Sequence, residues 1–132
     1  MNSINNLYMK FYNPDLGLLL LRLGIGVIFI YHGIIKLSNM SDTVGFFASI
    51  GVGVFFTWVV ALVETIGGVA MIIGFMSRIF AKLLAFTMIM AIVLVKAKTG
   101  FQGMEIDIIL LASCLTILFA GPGKYTTQKV KG

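Results

Sequence analysis

The chain contains four runs of predominantly apolar residues, and each run is long enough to cross a lipid bilayer as a helix. The runs cover residues 16–37, 54–75, 79–95 and 103–120. An α-helix rises ~1.5 Å per residue, so about 20 residues span a ~30 Å hydrocarbon core. Membrane β-strands are about 10 residues long and alternate polar with apolar side chains, which these runs do not. The sequence therefore predicts one all-α domain over residues 1–132, an integral membrane four-helix bundle.

Local signals mark the ends of these helices. Asn13 suits an N-cap, Pro14 suits the first helical position, and Asp15 suits the positive end of the helix dipole. Gly74 closes the second run, and Gly121-Pro122-Gly123 ends the fourth with a strong stop signal. These signals predict sharp boundaries for three of the spans.

Residues 41–53, between the first two runs, contain the pattern of a short helix. Ser41 or Asp42 can cap it, and Val44, Phe47 and Ile50 lie on one face. We expect an interfacial helix that lies on the bilayer. A lid over a site that opens into the outer leaflet is the alternative interpretation.

The composition excludes several other classes of protein. Hydrophobic residues make up 59% of the chain and charged residues 11%, whereas soluble domains carry about 25% charged residues. The single cysteine excludes a disulfide framework, a cysteine-based zinc cage and an Fe–S cluster, and the single histidine excludes bis-histidine haem ligation. We expect no metal. The net charge of +5 comes mostly from basic residues at the ends of apolar runs, so nucleic-acid binding is not expected.

The distribution of basic residues predicts the orientation. Seven lie on the side of the termini and three on the other side. Cytoplasmic loops of membrane proteins carry the excess of Lys and Arg, so both termini should be cytoplasmic, in a plasma membrane. The segment before Pro14 is polar and the following run contains Arg22, so we expect no cleavable signal peptide. The seven are Lys10, Arg22, Arg78, Lys82, Lys124, Lys129 and Lys131; the three are Lys36, Lys96 and Lys98.

Ionisable residues inside the spans are the best pointers to function, because charges in a membrane interior are costly and usually face the bundle or a cavity. By helical rise, Glu64 lies near the midplane, ~8 Å in depth from both Arg22 and His32. The outer half contains His32, Lys36, Glu105 and Asp107. On span one, Arg22, His32 and Lys36 can all face the bundle.

Each of these residues has a functional and a structural interpretation. Glu64 is either a proton-exchanging carboxyl or one partner of an ion pair that ties span two to span one. His32 can hydrogen-bond a quinone carbonyl or relay protons, because an imidazole changes charge near neutral pH; alternatively it bonds Glu105. Arg22 is expected to anchor Glu64 or to extend toward the cytoplasmic face, and Lys36 to be an interfacial charge.

Glu105 and Asp107 are two residues apart on span four and therefore point in different directions. We expect one of them to face the bundle and the other to face the interface.

Several motifs together resemble the DoxX family. They are Arg22-Leu-Gly-Ile-Gly-Val-Ile-Phe29-Ile-Tyr-His32-Gly33-Ile-Ile-Lys36-Leu37, then Glu64-Thr-Ile-Gly67-Gly68 followed by Gly74-Phe-Met-Ser-Arg78, then Glu105 and Gly121-Pro122-Gly123. The resemblance covers about residues 15–125. It implies a small four-helix membrane protein linked to a quinone-reducing or quinol-oxidising complex. It also implies a polar site formed by Arg22, His32, Lys36, Glu64 and Glu105.

The resulting hypothesis is a quinone-binding subunit of a membrane oxidoreductase. His32 with Glu64 or Glu105 would exchange protons with the quinone, and Arg22, His32, Lys36 and Glu64 would bind it. The sequence contains no electron-carrying centre, so a redox partner protein would supply electrons. The alternatives are a non-enzymatic anchor or assembly subunit and a small transporter that works as a homodimer.

Overall fold

The computed structural model describes residues 2–96 and 100–127, and within these ranges all regular structure is helical. Four helices are long and apolar enough to cross a membrane: α2, α4, α5 and α6. Their ends lie within two residues of the predicted runs, and the all-α membrane fold class is confirmed. The helices are α1 (Ser3–Phe11), α2 (Pro14–Ser38), α3 (Met40–Ser49), α4 (Val54–Ile73), α5 (Ser77–Leu94) and α6 (Phe101–Ala120).

The predicted boundary signals work as expected. The Asn13 side chain accepts a hydrogen bond of 3.0 Å from the Leu16 N–H, and Pro14 follows as the first helical residue. Helix α4 ends at Gly74, which adopts the left-handed conformation with φ 73°. Helix α6 ends before Gly121, whose φ of 86° a residue with a Cβ rarely adopts.

The four long helices surround a common core. Helix α2 packs most extensively on α4, α4 packs on α5, α5 on α6, and α6 returns to α2. The buried core side chains include Ile25, Phe29, Met71, Leu84 and Ile117. Large apolar side chains also cover the outside of the bundle, as expected for a surface that faces lipid: for example Val27, Ile66, Phe86, Ile109 and Phe119.

Helices α2 and α4 approach each other through glycine. A Cβ placed on Gly26 would lie 2.6 Å from the Gly68 carbonyl oxygen, and a Cβ on Gly68 would lie 2.8 Å from the Gly26 carbonyl oxygen. About two turns further along α2, a Cβ on Gly33 would lie 2.7 Å from the Thr65 backbone nitrogen. Such distances leave no room for a side chain, so these glycines permit the close contact between the two backbones.

The start of α2 and the segment after α6 lie at one end of the bundle, which we call the terminal end. The Lys124 N–H donates to an Asp15 carboxylate oxygen over 3.0 Å, and the Thr127 N–H donates to the Ile73 carbonyl over 3.2 Å. The segment 121–127 therefore crosses the ends of α2 and α4. The opposite end, where α3 contacts α2 and α4, is called the α3 end. Which end faces the cytoplasm remains a prediction.

One local prediction is wrong, and one helix was not predicted. Helix α3 begins at Met40 with Asn39 at its N-cap, so Ser41 and Asp42 lie inside its first turn rather than capping it. The segment before Pro14, for which the sequence analysis predicted no element, forms the helix α1. Its polar residues lower the mean hydropathy of the segment, and they conceal a helical spacing of the apolar residues between them.

Candidate functional site

The α3 end contains a cavity of about 610 Å³, here called the α3-end cavity. All of α2 to α6 contribute to its lining. Phe46 and Phe47 lie in the cavity wall, so α3 covers the cavity from the end of the bundle. The walls are predominantly apolar and include Phe29, Phe56, Val60, Met90, Leu94 and Leu110.

One corner of this cavity carries an ion pair between two helices. The Lys36 ammonium donates to a Glu64 carboxylate oxygen over 2.7 Å, which joins α2 to α4. The side chain of Glu64 is 4% exposed and that of Lys36 is 23% exposed. Buried charges of this kind require a partner, and each residue supplies it for the other.

The prediction that Lys36 is an interfacial charge is therefore wrong. Of the two alternatives expected for Arg22, the one in which it anchors Glu64 is also wrong. Side chains on a helix lean toward its N-terminus. Because α2 and α4 run in opposite directions, Lys36 leans away from the α3 end and Glu64 leans toward it. The two side chains meet although their Cα atoms differ in depth. Arg22 leans toward the terminal end, away from Glu64.

His32 lies one helical turn before Lys36 and also lines the α3-end cavity. Its ring makes an edge contact with Tyr31, with the ring centroids 5.5 Å apart. Its expected alternative partner Glu105 is exposed and lies outside the cavity lining. Within residues 2–96 and 100–127, the structure gives the imidazole nitrogens no hydrogen-bond partner. These nitrogens are therefore available to a ligand.

Asp107, rather than Glu105, is the acidic residue that α6 places in the cavity wall. The two residues differ by about 200° around the helix, so only one can face inward. Leu110, three residues after Asp107, is buried and lines the same cavity. This spacing from a buried residue is the signal that favours Asp107 over Glu105.

Arg22 lies at the terminal end, outside the α3-end cavity. Its guanidinium is fully buried and donates to the carbonyl oxygens of Met71, over 3.3 Å, and of Tyr125. Met71 belongs to the last turn of α4, where carbonyl groups lack helical partners and the helix dipole favours a cation. Arg22 therefore fastens the segment 121–127 to the end of α4.

The structure brings together three of the predicted site residues, His32, Lys36 and Glu64, and adds Asp107 to them. It does not bring Arg22 or Glu105 to the same cavity. What each residue does in binding or catalysis stays a prediction. Lys96, two residues after the end of α5, also lines the cavity; the sequence analysis used it only as a marker of orientation.

Comparisons with known proteins place the chain in a family. A sequence model of the DoxX family matches residues 17–97. The chain is 42% identical over 108 residues to "Putative oxidoreductase CatD" of Bacillus subtilis (strain 168), and the match covers 81% of each chain. It is 29% identical over 126 residues to "Uncharacterized membrane protein Rv3486" of Mycobacterium tuberculosis, covering 83% of this chain and 77% of that protein. No solved structure matches it. Since the family match extends over more than half of the sequence, the chain belongs to the DoxX family.

Proposed function

We propose that this protein is the quinone-binding membrane subunit of an oxidoreductase, with the quinone ring in the α3-end cavity. One observation supports the proposal most strongly: the bundle contains a mostly apolar cavity, and the Lys36–Glu64 ion pair lies at one corner of it. The printed name of one relative, "Putative oxidoreductase CatD", favours redox chemistry over the other functions considered.

The cavity fits a quinone in size and in chemistry. Its volume of about 610 Å³ lies within the range of about 300–1,000 Å³ that is typical of small-molecule sites. A quinone is a flat ring with two carbonyl oxygens and an apolar tail. Phe29, Phe56 and Leu110 supply apolar contacts for the ring, and Lys36 supplies a hydrogen-bond donor.

A bound quinone supplies two-electron redox chemistry, and the chain supplies binding and protons. The Lys36 ammonium has donors beyond the one that it gives to Glu64, so it can orient a carbonyl oxygen at the cavity corner. Glu64 holds that ammonium in place. The His32 imidazole can donate or accept a hydrogen bond at the cavity wall, and the Asp107 carboxylate faces the same space.

Electrons must enter from another molecule. The sequence has one cysteine and one histidine, too few for an Fe–S cluster or a bis-histidine haem within one chain. We therefore propose a redox partner protein or membrane subunit that delivers electrons to the cavity. The predicted plasma-membrane location, with both termini cytoplasmic, belongs to the same proposal.

One observation favours a second candidate, a non-enzymatic anchor or assembly subunit. The Lys36–Glu64 pair joins two spans of the same chain, which is what a purely structural pair does. In that case the pair fixes the positions of α2 and α4 and has no ligand to bind.

The test is the quinone content of the protein purified in mild detergent, measured by native mass spectrometry and by organic extraction. We expect one quinone per protein, and at least a tenfold loss in Lys36→Met, because about 1.4 kcal/mol of lost binding free energy is a tenfold change in affinity. Lys82→Met, an exposed lysine outside the cavity, is the matched control and should retain the quinone. A folded protein without quinone would contradict the proposal, and a co-purified membrane protein would then favour the anchor subunit.

A further inference from the structure

Helix α1 carries an apolar stripe that no other part of the described chain covers. Ile4, Leu7, Tyr8 and Phe11 follow the helical spacing of three and four residues and occupy an arc of about 100°. They are between 59% and 78% exposed. Over residues 2–96 and 100–127, α1 packs on no other helix. A stripe of this kind requires a cover, and none of the described residues provides it.

The position of α1 limits what that cover can be. Only Tyr12 and Asn13 separate α1 from Pro14, where the first span begins. The Asn13 cap fixes the start of that span, so α1 stays at the level where the chain enters the bilayer. Nine residues extend about 14 Å as a helix, which is too short to cross the hydrocarbon core. The helix therefore lies at the membrane surface.

The charges around α1 match anionic lipid headgroups. Residues 2–14 contain one charged side chain, Lys10, and it is basic. At the same end of the bundle, the described residues Arg78, Lys82 and Lys124 add positive charge and Asp15 adds one negative charge, so the balance there is positive. Tyr8 and Tyr12 are amphipathic aromatic residues of the type that membrane proteins concentrate at the interface.

We propose that α1 is an in-plane membrane anchor whose apolar stripe inserts into the headgroup region of an anionic bilayer at the terminal end. The stripe enters the boundary between headgroups and acyl chains, and Lys10 stays beside the lipid phosphates. This inference concerns the end of the molecule opposite the α3-end cavity and does not depend on a quinone.

The experiment compares the lipid exposure of the two faces of α1, measured by the quenching of tryptophan fluorescence. In a Trp58→Phe background, which leaves no other tryptophan, Tyr8→Trp places an indole on the stripe and Asn6→Trp places one on the opposite face. Each protein is reconstituted into phosphatidylcholine–phosphatidylglycerol vesicles whose acyl chains carry bromine near the headgroup. We expect Tyr8→Trp to lose roughly half of its emission and to shift to the blue, and Asn6→Trp to change little.

Three results would overturn the proposal. Equal quenching of both variants means that α1 has no inserted face, and no quenching of either means that it stays in water. Emission of Tyr8→Trp that is insensitive to bromine but varies with the protein-to-lipid ratio means that a second copy of the chain covers the stripe. Circular dichroism of both variants confirms that the bundle is folded.

Discussion

At the residue scale, the decisive contact is the one between Lys36 and Glu64. The sequence indicates that Glu64 is an interior charge that can form an ion pair with span one. It offers Arg22 as a possible partner, and it does not identify Lys36 as one. The sequence-based estimate compared the depths of Cα atoms along untilted helices. The direction of a side chain along its helix shifts its charged end by several ångströms, and it does so in opposite senses on antiparallel helices.

We predict strong energetic coupling between these two residues. Lys36→Met should lower the free energy of unfolding by about 2–3 kcal/mol, because it leaves the buried Glu64 carboxylate without its partner. Glu64→Gln should cost less, because the Lys36 ammonium that it leaves is only partly buried. The double variant Lys36→Met/Glu64→Gln should recover a large part of that loss. Unfolding in detergent micelles, followed by circular dichroism, measures all three. Additive effects in the double variant would show that the pair contributes no coupling.

The same double variant separates the two candidate functions. If the pair belongs to a quinone site, a protein with restored stability should still have lost its quinone. If the pair only connects two spans, the single variants should lose expression and partner binding, and the double variant should recover both together with its stability.

At the element scale, the pairing of α2 with α4 depends on glycine. Sequence analysis found the spans to within two residues, because length and hydropathy carry that information. It did not find which helices pack most closely. The contact between Gly26 and Gly68 joins residues 42 positions apart, and no local pattern in a single sequence relates two such positions.

We predict that Gly26→Ala weakens the bundle, whereas Gly24→Ala does not. The new methyl group at position 26 would meet the Gly68 carbonyl oxygen at 2.6 Å, and a backbone atom cannot move aside as a side-chain end can. We expect a loss of about 1–3 kcal/mol of unfolding free energy, as in other overpacked interiors. Gly24 has nothing within 4 Å of its added Cβ and provides the control. Thermal unfolding in the same detergent compares the two; equal unfolding temperatures would refute this account of the close contact.

At the scale of the whole molecule, the two ends of the bundle differ in structure: one is closed and the other contains a cavity. The terminal end is closed, because the segment 121–127 covers the buried Arg22 and hydrogen-bonds to α2 and α4. The α3 end is hollow and contains the ionisable side chains that line the α3-end cavity. The sequence predicted four spans and three of the five ionisable residues that line the cavity, His32, Lys36 and Glu64. It could not predict that Arg22 serves the closed end, since the Tyr125 carbonyl that it binds lies 103 residues away.

The central claim, that the α3-end cavity holds a quinone ring, is tested most directly by photoaffinity labelling. The protein in native-like membranes is irradiated with a photoreactive quinone and digested, and the labelled residues are identified by mass spectrometry. The account predicts labels on cavity-lining residues such as Phe29, Phe47 and Val60, and their suppression by excess unmodified quinone. Labels confined to lipid-facing residues such as Phe119, or labels that excess quinone does not reduce, would contradict it.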